Sequence, residues 1–213
     1  MLDELFSLNG PYARAMNWLW NMLVISVLWA VCCIPVFTIG AASTAAYYAA
    51  AKCVRRHTGK VVSEFFSSFR LNFRQASVFT LLWGSVLFLL ILECIYLYSN
   101  TAVPLAVLYL FYFLLAAAVS CTMYLWPCLS RFARSNLALI KTAVILTFRH
   151  LITTILLFLL LICSCLAVYL MPWGILVFPG CMFYLQTFLM EKILLQNSPR
   201  PSTPEEAEKW YYQ

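Results

Sequence analysis

Charge is the scarcest commodity in this chain. Charged residues make up only 10% of it, against 64% hydrophobic residues, where a globular domain carries about 25% charge. Between Leu5 and Met190 the only carboxylates are Glu64 and Glu93, and His57 and His150 are the only histidines. A glycosidase-like pair of carboxylates is therefore missing. So are a Walker A loop, an HExxH helix and a G-x-S-x-G elbow. The nine cysteines form no CxxC pair and no Cys/His ligand spacing, and most lie within apolar runs, where a free thiol packs as a small apolar group. No cofactor, metal or catalytic activity is expected. The start, MLDELF, lacks the basic n-region of a secretory signal, so the first apolar run reads as a retained helix.

What the chain has instead is a series of apolar runs long enough to cross hydrocarbon. The reading is all-α: a polytopic transmembrane helical bundle forming one domain over residues 1–195, with a polar tail over 196–213. Trp18–Ile34 is the first crossing. Pro35 and Gly40 bracket a compact turn. Ala41–Arg56 either lies on the membrane surface, giving five crossings, or returns through the bilayer, giving six. It has small residues on every side and no charge before Lys52, which suits close helix contact better than a surface position, so six is favoured. Val61–Phe73 repeats Val61, Phe65, Phe69 and Phe73 at helical spacing and predicts a short amphipathic helix. Ala76–Tyr98, Val103–Trp126, Leu151–Leu170 and Ile175–Met190 complete the crossings. Glu191-Lys192 marks the exit of the last, and a short helix over Pro204–Trp210 is predicted in the tail.

The basic residues fall in alternate connections. Lys52, Arg55, Arg56, Lys60, Arg70 and Arg74 cluster after the second run. Arg131, Arg134, Lys141 and Arg149 cluster after the fourth. The connections at 99–102 and 171–174 carry no Lys or Arg. The positive-inside rule places the basic loops and the C-terminus in the cytoplasm, and six crossings place the N-terminus there too. This pattern explains the net charge of +6 without nucleic acid. A short internal echo, with Tyr48 matching Tyr124 and Phe73-Arg74 matching Phe148-Arg149, also pairs 41–56 with a crossing.

Two sets of side chains are candidates for function. Glu93, Asn21, Thr38, Thr44, Tyr48 and Gln186 could form a polar transmembrane site, since an intramembrane carboxylate is expensive unless paired, protonated or near water. Helix-to-helix hydrogen bonds and proximity to the interface are the plainer alternatives. Arg55, Arg56, Arg70, Arg74, Arg131, Arg134 and Arg149 could form a cytoplasmic face for a partner or for anionic headgroups; holding orientation is the plainer alternative.

The stretches LWNMLVISVLWAVCCIPVFTIGAASTAAYY and FFSSFRLNFRQA resemble the YesL family, a domain of unknown function in small bacterial membrane proteins. The resemblance implies an integral plasma-membrane protein. Because such proteins often lie near carbohydrate-uptake and polysaccharide-degradation genes, it also implies an accessory role in carbohydrate uptake. Family members commonly carry acidic residues after the first basic patch, where this chain has Arg56-His57-Thr58-Gly59. The expected partners are membrane lipids, with transporter subunits or a second copy of the chain. An independent transporter or channel, and a structural or signalling membrane protein, are the alternatives.

Overall fold

The computed structural model describes residues 11–100, 103–132 and 136–197. Among these the secondary structure is entirely helical. Helix α1 spans Pro11–Cys32. A 3-10 turn at Val36–Thr38 leads into α2, Ile39–Ala49, which runs on as a π-helical segment, Ala50–Arg55. Then follow α3, Val61–Ser99; α4, Leu105–Arg131; α5, Asn136–Arg149; α6, Leu151–Leu170; a 3-10 turn, Pro172–Leu176; and α7, Phe178–Asn197. Arg134, the N-terminal ten residues and the predicted tail helix lie outside the described residues.

Among the described residues, four helices are long and apolar enough to cross a membrane: Ala15–Cys32 of α1, then α3, α4 and α6. Their outer surfaces carry large exposed apolar side chains, among them Leu81, Phe88, Leu92, Phe113 and Ile152, as lipid contact requires. This is the make-up of a multi-pass helical membrane protein. The favoured count of six differs from these four at α2 and α7, and for a physical reason. Helix α2 has only eleven α-helical residues before its π segment. It is built from Ala, Gly, Ser and Thr because it packs against α1, α3, α4 and α7 rather than against lipid. Gly40 through Tyr47 are all buried. Small side chains permit this close approach, and a helix walled in by protein needs no hydrophobic surface. Helix α7 is diluted by Gln186, Glu191 and Lys192.

The predicted amphipathic helix at 61–73 is not separate. It is the first part of α3, a continuous helix of 39 residues and about 58 Å. No proline or glycine interrupts residues 61–83, so the change from amphipathic to apolar sequence alters the surroundings of the helix without ending it. Phe65 stacks on Phe69 at 6.3 Å, and Phe69 packs on Phe73 at 5.4 Å. Pro127 likewise sits inside α4, which continues to Arg131. His150 divides α5 from α6. The predicted crossing Leu151–Leu170 coincides with α6.

Helix α2 runs antiparallel along the first half of α3. Near one end, the Gly40 N–H donates to the Thr80 hydroxyl at 3.0 Å. Near the other, Lys52 pairs with Glu64 at 2.7 Å. Beyond Thr80, α3 continues to Ser99 for about 28 Å. The α1–α2 hairpin therefore ends beside the middle of α3. Its tip is apolar and outward-facing: Ile34 is 78% exposed and Val36 73%. The Thr38 hydroxyl closes the turn by bonding to the carbonyls of Cys32 and Pro35. At Gly40 a Cβ would come within 2.3 Å of Thr80 Oγ1 and 2.5 Å of the Trp126 ring. Glycine is thus what lets the hairpin seat against α3 and α4.

Candidate functional site

Two features stand out, both set by the position of the hairpin. The first is a buried ion pair. Arg131, in the last turn of α4, reaches Glu191 on α7, and the two side chains are 5% and 3% exposed. Tyr47 on α2, fully buried, donates its hydroxyl to the same carboxylate oxygen, Oε1, at 3.2 Å. Three helices thus converge on one carboxylate. The charges cancel inside the bundle, so neither ion is buried alone, the condition under which a buried charge is tolerated. Nearby, Arg55 donates to the Thr187 carbonyl at 2.6 Å and lies over the Phe188 ring at 4.9 Å, tying the end of α2 to α7.

The second feature is a cavity of about 880 Å³ beyond the hairpin tip. Val36, Phe37 and Ile39 form the side nearest the tip, Trp29 of α1, Ser43 of α2 and Ile175 of the second 3-10 turn also line it, and α3, α4, α6 and α7 contribute the remainder. The hairpin tip stops beside Thr80, while α3 continues past it to Ser99. Among the described residues, no charged side chain lines the cavity. Most of its hydroxyls are already engaged: Thr80 bonds to Ala76 O, Ser85 to Leu82 O and Thr122 to Val119 O, while Ser43 accepts from the Trp29 indole. Gln186 spends its amide N–H on the Met123 carbonyl at 2.7 Å, leaving its buried Oε1 without a partner. The indole N–H of Trp83, another lining residue, is also buried and unpartnered.

The sequence candidates are not gathered into one place. Of the polar set, only Gln186 lines the cavity. Thr38 closes the hairpin turn, and Thr44 bonds to the Gly40 carbonyl at 2.8 Å. Tyr48 lies under the Lys52 ammonium at 5.6 Å, near the basic end. Asn21 is half-buried on α1, and Glu93 is exposed on the outer surface of α3. Of the arginines, Arg70, Arg74 and Arg149 are exposed and Arg56 is half-buried. Arg131 departs from that face: Glu191 and Tyr47 draw it into the bundle.

Glu191 is the residue that sequence reasoning passed over. Glu191 sits at the edge of an apolar run, where a carboxylate passes for a boundary marker. Its spacing from Thr187, four positions earlier, was the available signal, since residues four apart share a helix face.

Residues 16–94 match a family model described as a protein of unknown function, DUF624, which is the YesL family. The resemblance read from the sequence is borne out over that segment, which holds most of α1, all of α2 and α3 as far as Cys94. No curated protein and no solved structure matches the chain.

Proposed function

We propose that this protein is a non-catalytic membrane component that assists carbohydrate uptake without itself conducting the sugar. One observation carries the second half of that reading. Among the described residues the large cavity has no charged wall, and most of its hydroxyls are bonded to helix carbonyls. A sugar entering it would lose its hydration with few groups to replace the lost hydrogen bonds, a heavy penalty for each unpaired hydroxyl. The accessory half rests on the YesL resemblance and on the exposed Arg70, Arg74 and Arg149, a basic surface suited to a transporter subunit or to anionic headgroups.

In this reading six segments enter the membrane as three hairpins, α1–α2, α3–α4 and α6–α7. All three open toward the cytoplasm, as the basic loops require. The first is the short one, and its apolar tip ends in hydrocarbon. Backbone can turn there because Thr38 answers the carbonyls that the turn frees. The Arg131–Glu191–Tyr47 group then serves to lock the hairpins together.

Purification from native membranes in mild detergent, paired with reconstitution, tests the proposal. The expected result is co-purification with membrane subunits of a carbohydrate transporter, and no flux of labelled mono- or oligosaccharide through vesicles holding this chain alone. Sugar flux by the isolated protein, or the absence of every transport component from the purified material, would overturn it.

A further inference from the structure

The first part of α3 leaves one face uncovered by the other described elements. Ser63, Phe66, Ser67, Arg70, Leu71 and Arg74 are all exposed, Leu71 by 84%, while Val61, Phe65 and Ser68 on the opposite face are buried. Spacings of three and four residues put the exposed set on a single stripe. The first five of them line an open hollow of about 690 Å³, and among the described residues its whole lining comes from α3. The face is basic and apolar at once, and no described carboxylate answers its arginines. Only three carboxylates fall among the described residues. Glu64 is held by Lys52 and Glu191 by Arg131. Glu93 lies nineteen residues along α3 from Arg74, about 28 Å away. The remaining five are Asp3, Glu4, Glu205, Glu206 and Glu208.

We infer that the tail segment Glu205–Tyr212 docks on this face of α3 and latches it from within the same chain. Three of its residues are carboxylates against the single Lys209, and Trp210, Tyr211 and Tyr212 follow them. The carboxylates answer Arg70 and Arg74. The rings match Phe66 and Leu71 and suit a position over a guanidinium. The other source of carboxylates, Asp3-Glu4, brings fewer charges, and residues 1–10 hold no tryptophan or tyrosine. The tail is also long enough. Arg55 ties the end of α2 to the Thr187 carbonyl at 2.6 Å, and Lys52 ties it to Glu64 at 2.7 Å, so α7 and α3 flank the same π-helical segment. Asn197 is ten residues beyond Thr187 and Arg70 is six beyond Glu64, about 15 Å and about 9 Å of helix. The eleven residues from Ser198 to Glu208 extend to roughly 36 Å, which covers both legs and the helix of about 10 Å between them. The docking is intramolecular, so it stands whether or not a transporter subunit shares the face.

Photocrosslinking tests this in the full chain. Benzoylphenylalanine replaces Trp210, and the protein is reconstituted in vesicles of phosphatidylethanolamine and phosphatidylglycerol, so that anionic headgroups compete for the same arginines. Illumination and peptide mass mapping then show what lies beside the tail. The expected result is a crosslink within one chain to residues 61–75. Arg70→Glu with Arg74→Glu lowers it roughly fivefold or more, the effect of two exposed ion pairs. Adding Glu205→Lys, Glu206→Lys and Glu208→Lys to that double variant restores it, a rescue that a folding defect does not mimic. Raising salt from about 0.1 M to about 1 M, which shortens the screening length from about 10 Å to about 3 Å, also lowers the yield. Adducts with lipid in place of 61–75, a crosslink between two copies, or a yield unchanged by charge reversal overturns the inference. So does labelling of 61–75 from benzoylphenylalanine at Phe6 and none from position 210, which gives the face to Asp3-Glu4. If the double variant is not monodisperse, a yield unchanged by salt overturns it instead. Failure here leaves co-purification with transporter subunits untouched, so the two proposals fail separately.

Discussion

The backbone N–H of Gly40 meets the hydroxyl of Thr80 at 3.0 Å, and this contact sets the level at which the α1–α2 hairpin stops. The Thr80 hydroxyl also donates to Ala76 O at 2.9 Å, so it serves both helices at once. On the far side of that contact α3 continues to Ser99, past the end of the hairpin.

Replacing Gly40 should therefore disturb more than one helix. Gly40→Val puts carbon where Thr80 Oγ1 and the Trp126 ring already lie, within 2.6 Å, and overpacking of this kind costs about 1–3 kcal/mol. Thermal unfolding in detergent, followed by the monodisperse fraction on size exclusion, should shift downward. Gly84→Leu, at an open position of α3, should leave it unchanged or raised.

Glu191→Gln should be among the most damaging single substitutions. It leaves the Arg131 guanidinium buried without a counter-charge, for which about 3–5 kcal/mol is the usual cost. The double variant Arg131→Met, Glu191→Leu removes both charges and should regain most of the loss. Comparing the apparent melting temperatures of both single variants and the double variant checks this. Equal damage from the double and the singles would mean that the charges are not acting as a pair.

Gly180 marks a second close approach. A Cβ there would lie 2.3 Å from the Met22 carbonyl oxygen and 2.7 Å from Ser26 Oγ. The first of these is backbone and cannot swing aside. Gly180→Ala should loosen the α1–α7 contact and lower the melting temperature, whereas Ser26→Ala, which loses the 2.7 Å bond from the Gly180 N–H, should cost about 1–3 kcal/mol by leaving a donor unpaired.

The exposed arginines should behave differently. Arg70→Gln and Arg74→Gln touch no buried partner, so their effect on stability should stay within about 0.5 kcal/mol. Under the accessory reading, the pair of substitutions together should reduce the recovery of transporter subunits in the purified material. Normal recovery would remove this face from partner binding.

Much of this architecture was legible in the residues. Leu151–Leu170 stood out because its hydropathy is uniform and its ends are marked by Arg149-His150 and Met171-Pro172. The hairpin was readable from Pro35, Gly40 and the run of small residues after them. Its depth was not, because the level at which a turn stops depends on which residue of a distant helix it meets, here Thr80. The continuity of α3 was hidden by its change in composition near Arg74, which suggests a boundary although nothing breaks the helix. Glu93 drew attention through isolation in the sequence, yet it faces outward. Glu191 drew none, because its partner Arg131 lies sixty residues earlier and each alone resembles an interfacial charge.

The depth of the hairpin tip is the claim on which the rest depends, since it creates the cavity and the three-hairpin arrangement. A nitroxide placed at Val36 in a cysteine-free background, in reconstituted vesicles, reports it through the ratio of its relaxation by oxygen and by a water-soluble nickel chelate. A label at Asn100, at the end of α3, supplies the reference. The account predicts high oxygen and low nickel accessibility at Val36, and the reverse at Asn100. Nickel accessibility at Val36 equal to that at Asn100 would place the tip in water and contradict it.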